Sequence, residues 1–198
     1  MQRDEALQRF SDAALTAYRE HAAEPEARAS LDRMAAALEA PAPLRTSPGA
    51  RLPVCRHLDA ALAIDPGSES LRRLIEAFRV IEPSLEWRRR PSFDETASAN
   101  FIDGHANAMI LGPAGLEHRN DVWIGASLMA PFVRYPDHAH APEETYLVLS
   151  EGDFRQGDGD WFTPAVGGSF YNSPWSKHAI RSGTAPLFAF WALWVEST

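Results

Sequence analysis

The chain of 198 residues carries a single cysteine, Cys55. No internal disulfide can form, which excludes a disulfide-stapled scaffold and fits a reducing compartment. The stretch around it, LPVCRHLDAAL, has the texture of a buried helix start rather than of a nucleophile. Lysine is almost as scarce. Lys177 is the only one among 19 basic residues, set against 27 acidic residues for a net charge of −8. That balance argues against a nucleic-acid or anionic-membrane partner, since both reward clustered positive charge. The one basic run, Arg88–Arg90, reads as a solvated boundary. No apolar run approaches the roughly 18–20 residues of a membrane span, and the N-terminal MQRDEALQRFSDAAL has no signal-peptide core. The expectation is a soluble, cytoplasmic protein, monomeric or homodimeric.

What is present is enough apolar residue to build a core. At 45% apolar and 10% aromatic the composition is that of a globular protein, with no long internal repeat. Two textures meet near residue 95 and divide the chain into a helical region, 1–95, packed on a β-domain, 96–198. In the first, Leu7, Phe10, Ala14, Leu15 and Tyr18 recur at helical spacing, as do Leu31, Met34, Ala35 and Leu38. Pro25 suits a first helical turn. A shorter helix is expected over 54–64, and another opened by Asp65-Pro66 and stopped by Pro83. In the second half, runs such as NAMILGP, VWIGASLMAPFVRYP, ETYLVLSEG, HAIRSGTAP and LFAFWALWVE are short, β-branched or aromatic, and punctuated by Gly, Pro, Asn and Asp. This pattern predicts antiparallel strands closing into a sandwich or barrel.

Within the β-half, RYPDHAHAPEETYLVLSEGDF crowds titratable groups between hydrophobic flanks. His138 and His140 are one residue apart, so on a strand both imidazoles face the same way. Glu144 follows after a turn at Pro142, and Tyr146, two further on, shares its face. Neutral imidazoles converging with a carboxylate suit one divalent transition metal. His105 and His118 lack a partner at ligand spacing and are expected to be structural.

HAHAPEETYLVLSEG resembles the first motif of the cupin family, a His-x-His pair followed by a glutamate and a glycine. GGSFYNSPWSKHAI resembles the second, with Gly168, Pro174 and then His178. The glycine after the first motif, Gly152, falls one residue late; Ser176 and Ser182 stand where the family often has glycine and asparagine. The resemblance implies a mainly β fold with N-terminal helices, its C-terminal part a jelly-roll-like cupin barrel. It also implies four metal ligands: His138, His140, Glu144 and His178. With Tyr135 before the histidine pair, Tyr146 after the glutamate and a tryptophan-rich last strand, the chain is most similar to the bacterial cupin-type dimethylsulfoniopropionate (DMSP) lyases of the DddQ type. That similarity implies cleavage of DMSP to acrylate and dimethyl sulfide, with Tyr146 as base, Tyr135 as a second active-site tyrosine, and Zn or Fe as first expectation for the metal. The donor set also accepts Mn, Ni or Co.

Elimination requires removal of a weakly acidic proton beside a carboxylate, which a cation near a phenol makes feasible. The sulfonium end calls for aromatic faces. Trp191 and Trp194 are three apart and face opposite ways on one strand; the resemblance favours Trp194 for the cavity. Lys177, beside His178, completes the substrate-binding candidates, and 93–102 is a candidate lid. A different metal-dependent cupin enzyme, such as a dioxygenase or isomerase, would not need Tyr146. A non-catalytic binding cupin would need neither it nor the complete ligand set.

Overall fold

The computed structural model describes residues 2–196. Three long helices come first: α1 (Glu5–His21), α2 (Pro25–Leu38) and, after the short α3 (Leu58–Ala61), α4 (Glu69–Ile81). Asp4 caps α1 by accepting from the amides of Ala6 and Leu7, and Pro25 opens α2. Two expected boundaries move. The segment 54–64 is a 3-10 turn, Pro53–His57, running into the single α-turn of α3. The helix expected at Asp65-Pro66 starts three residues later, because the Asp65 carboxylate accepts from Gly67, which sits at φ 68°, and hands the capping role to Ser68.

Nine strands follow among the described residues: β1 (Trp87–Arg88), β2 (His105–Leu111), β3 (Val122–Met129), β4 (Arg134–His138), β5 (Glu143–Val148), β6 (Asp153–Gln156), β7 (Ser169–Asn172), β8 (His178–Arg181) and β9 (Leu187–Trp194). A one-turn helix, α5 (Phe101–Gly104), precedes β2. The polar β6, DFRQ, has too little apolar patterning to be predicted; its pairing to β8 creates it. One sheet runs β1-β2-β3-β9-β5-β7 and the other β4-β8-β6, all antiparallel. This is the helical region followed by a two-sheeted cupin barrel that the sequence led us to expect.

Two apolar cores follow from the two-residue period of β9. Phe188, Phe190 and Ala192 face the helices, while Leu187 and Ala189 face the barrel interior. On the helix side, Phe78 packs edge-on against Phe188 and Phe190, with ring centroids 5.3 and 5.1 Å apart. A buried ionic knot joins the same regions: the Glu117 carboxylate takes both Arg3 and Arg119, and these guanidiniums also cap the C-terminal carbonyls of α2 at Leu38 and Ala37. Among the described residues, no helix is long and apolar enough to cross a membrane.

Candidate active site

The barrel interior collects its polar residues where the two sheets approach. His138 closes β4 and pairs across the small sheet with His178, which opens β8; their rings lie 4.0 Å apart. A register irregularity between Tyr135 and His138 lets residues three apart in sequence both line the interior. Glu144 and Tyr146 come from β5 on the facing sheet, on one side of it as their spacing requires, and both are buried. His140 departs from expectation. It lies beyond the end of β4, so strand alternation does not aim it. Instead its ring donates to the Pro142 carbonyl, and its own carbonyl accepts the Trp175 amide at 2.8 Å.

All three imidazoles share one arrangement. Nδ1 of His138, His140 and His178 each lies 2.9 Å from a backbone carbonyl, of Pro136, Pro142 and Ser176 respectively. A carbonyl accepts only, so Nδ1 carries the proton and each Nε2 presents a lone pair inward. The ligating atoms of the three histidines lie within 4.8 Å of one another. Glu144 Oε2 lies 3.3 Å from His140 Nε2 and 3.2 Å from His178 Nε2. His178 Nε2 is buried with no hydrogen-bond partner among the described residues. Acceptor facing acceptor in a dry site is unfavourable unless a cation sits between them. Three imidazole nitrogens, each ring oriented from behind, fit one divalent transition metal, and the Glu144 carboxylate oxygen stands beside two of them.

Burial tends to raise the Glu144 carboxyl, but the proximity of His140 and His178 overrides it and holds the group ionised well below the usual carboxylate range. Burial, and then the proximity of His178, push His138 down to about 3. Burial also presses on His140, yet Glu144 outweighs it and leaves the imidazole raised. Tyr146 is raised well above an ordinary phenol, first by burial and then by the Glu144 charge. Tyr135 is raised by burial, with Arg90 opposing.

These groups open on a cavity of about 200 Å3, below the roughly 300–1,000 Å3 of pockets for drug-sized ligands. It admits a small molecule. Trp191, Trp123, Tyr135 and Tyr146 form aromatic walls. The two tryptophans of β9 divide as their spacing demands, but in the opposite sense to the one favoured by resemblance. Trp191 lines the cavity, whereas Trp194 packs against the helix-side core beneath Arg33, whose guanidinium carbon lies 5.7 Å from the ring centroid. Lys177 is also outside: its ammonium pairs with Asp158 at the surface. The segment 93–102 is tied to the edge of β4, where Ser98 and Arg134 exchange hydrogen bonds and Thr96 Oγ1 accepts the Asp137 amide.

Several residues of the site gave no sequence signal. Trp191 Nε1 donates to Ser127 Oγ (3.1 Å), Ser127 Oγ to Asn107 Oδ1 (2.7 Å), and Asn107 Nδ2 to the Tyr135 hydroxyl (2.9 Å), a chain across four strands. Asn172 donates to Glu144 Oε2 and is itself held by Gln156. Arg90, read as part of a solvated run, lines the cavity instead. His105 is structural, as expected, but it is not idle: its Nε2 accepts the Arg90 amide at 2.8 Å.

Comparison with known proteins places this site in context. None of the curated proteins matches the sequence. A DMSP lyase from a crystallographic study of RdDddP and RnDddQII is 26% identical, with 96% of this chain and 92% of that one covered at a TM-score of 0.68. The DMSP lyase DddQ from Ruegeria pomeroyi DSS-3 shares the fold, with a TM-score of 0.72 over 96% of this chain and 92% of that one at 20% identity. The family model for dimethylsulfoniopropionate lyase matches residues 26–189, most of the sequence, so the chain belongs to the DMSP lyase family of carbon–sulfur lyases.

Proposed function

We propose that the protein cleaves dimethylsulfoniopropionate to acrylate, dimethyl sulfide and a proton by β-elimination, with Tyr146 as the base. The observation that carries this reading is the placement of Tyr146 two residues beyond Glu144 on β5, both lining one small aromatic cavity with His138 and His140, while His178 lies buried beside that histidine pair. A divalent metal held by His138, His140, Glu144 and His178, Zn or Fe by family resemblance, supplies Lewis-acid polarisation of the substrate carboxylate and positive charge beside the phenol.

The rest falls to the chain's own residues. Without a cation, burial and Glu144 keep Tyr146 protonated, so compensation of the glutamate charge is what makes the phenol a usable base. The phenolate takes the proton from the carbon beside the carboxylate. The C–H pair becomes the new C=C bond, and the bond from the next carbon to sulfur breaks, its electrons leaving with dimethyl sulfide. Neutral sulfide needs no general acid. Tyr135, fixed by Asn107, borders the same space as the second active-site tyrosine. Trp191 and Trp123 offer π-faces to the sulfonium.

The test is headspace dimethyl sulfide from metal-loaded protein and DMSP. Tyr146→Phe is expected to lower turnover by about 10²–10⁴-fold while keeping the metal. Absence of sulfide from wild type with metal bound rejects the assignment.

A further inference from the structure

We infer that Arg90 is the carboxylate anchor of the cavity, taking one oxygen of a small monocarboxylate substrate and so fixing which end of it faces the tyrosines. The inference deepens the lyase reading and rests on it for the reaction, although the anion site stands on geometry alone.

Four observations lead here. First, among the described residues Arg90 is the only Lys or Arg side chain that lines the cavity. Second, among the described residues it has no carboxylate partner, although most of the arginines and Lys177 do, and although the protein is acidic overall. Its neighbours Arg88 and Arg89 are spoken for by Glu86 and Asp103. A half-buried guanidinium left without an anion in such a chain is an open site for one.

Third, the residue is held rather than loose. Its amide donates to His105 Nε2 at 2.8 Å, its Nε donates to the Ser92 carbonyl at 2.9 Å, and His105 is locked by a ring stack on Phe101 at 3.8 Å. Its guanidinium also reaches the Tyr135 hydroxyl and, among the described residues, is left with no carboxylate partner. Fourth, the guanidinium carbon lies 5.8 Å from the centroid of the Tyr135 ring, which places the cation beside the reacting groups.

The chemistry needs such a group. Burial deprives an incoming carboxylate of water. Arg90 offsets that cost, and it repels a sulfonium, so a zwitterion can enter usefully in one orientation only. It also stabilises the charge that builds on the carboxylate as the adjacent proton leaves.

The experiment is a binding titration read by tryptophan fluorescence on metal-loaded wild type, Arg90→Met and Arg90→Lys. The probes are propionate, acrylate and the carboxylate-free ethyldimethylsulfonium cation. Arg90→Met is expected to weaken propionate and acrylate by about 10- to 100-fold and to leave the sulfonium unchanged or tighter; Arg90→Lys recovers part of the loss. Equal propionate affinity in wild type and Arg90→Met overturns the inference, even if DMSP is cleaved. Arg90-dependent propionate binding in a protein that releases no dimethyl sulfide upholds it and removes the lyase reading instead. Should Arg90→Met fail to fold, dicarbonyl modification of wild type mapped by mass spectrometry decides. Protection of Arg90 by propionate but not by the sulfonium supports the anchor, and no protection by propionate rejects it.

Discussion

Gly125 on β3 lies directly opposite Trp191 on β9, and a Cβ at Gly125 would come within 2.3 Å of the indole ring. The missing side chain is the space in which the cavity's tryptophan lies. Gly125→Ala is therefore expected to displace Trp191 and strain the neighbouring backbone, since the Ala108 carbonyl oxygen is only 2.5 Å from the same Cβ position. A stability loss of about 1–3 kcal/mol is expected, with raised KM. Chemical denaturation and steady-state kinetics on one preparation check both.

The two tryptophans of β9 test the proposed function, since one lines the cavity and the other packs against the helix-side core. Trp191→Ala should raise KM for the sulfonium substrate by a factor equivalent to about 0.5–2 kcal/mol, because it removes a cavity wall. Trp194→Ala should lower stability and leave KM unchanged, because its ring serves the helix-side core and Arg33. Reversal of that pattern would return the sulfonium to Trp194.

Asn172 steadies Glu144, and Gln156 steadies Asn172. Partners behind a metal ligand typically contribute 10–100-fold in affinity or activity, so Asn172→Ala should weaken metal retention by about that factor. Competition with a chelator, followed by metal analysis, measures it without reference to turnover.

Acid should act through His138 in the metal-free protein. Its folded pKa is lowered from 6.5 to about 3, so between those values the unfolded chain binds a proton that the native site refuses. Stability from this group therefore falls as pH drops through that window. Glu144, with its carboxyl held low, adds a loss of the same sign once pH falls below the ordinary carboxylate range. His140 acts oppositely: its contribution is present below 6.5 and is lost as pH rises through its raised value. Urea unfolding of metal-free wild type and His138→Gln should show the wild type losing ground to the variant between pH 7 and pH 5. NMR titration should find His138 neutral throughout that range. An imidazole that titrates near 6.5 would contradict the burial argument.

We propose that residues 1–95 and 96–198 unfold together. The helices share a core with β9, and Glu117 binds one arginine from before α1 and one from the β-half. Breaking a buried ion cluster on one side leaves uncompensated charge, at a cost of about 3–5 kcal/mol. Glu117→Gln should lower the midpoint of a single calorimetric transition; two separate transitions in the wild type would show independent domains.

Much of the site was legible because its signals are local. His138, His140, Glu144 and Tyr146 lie within one short stretch, and the two-residue period of β5 is enough to put the last two on one face. Arg90 was not legible. It follows two arginines that do face solvent, and nothing in a run of like charges marks the one that turns inward. Asn107, Ser127 and Asn172 are ordinary strand residues until their strands pair.

The sequence by itself determined the helical and strand periods, the crowding of His138, His140, Glu144 and Tyr146 into one short stretch, and the opposed faces of Trp191 and Trp194. Local spacing dictates these through backbone geometry. Which of those faces looks into the barrel, how His140 is aimed from outside a strand, and which cation stands free beside the tyrosines were decided by tertiary structure. Each depends on contacts between residues far apart in the chain, and on the single way in which two sheets and a layer of helices bury their apolar faces together.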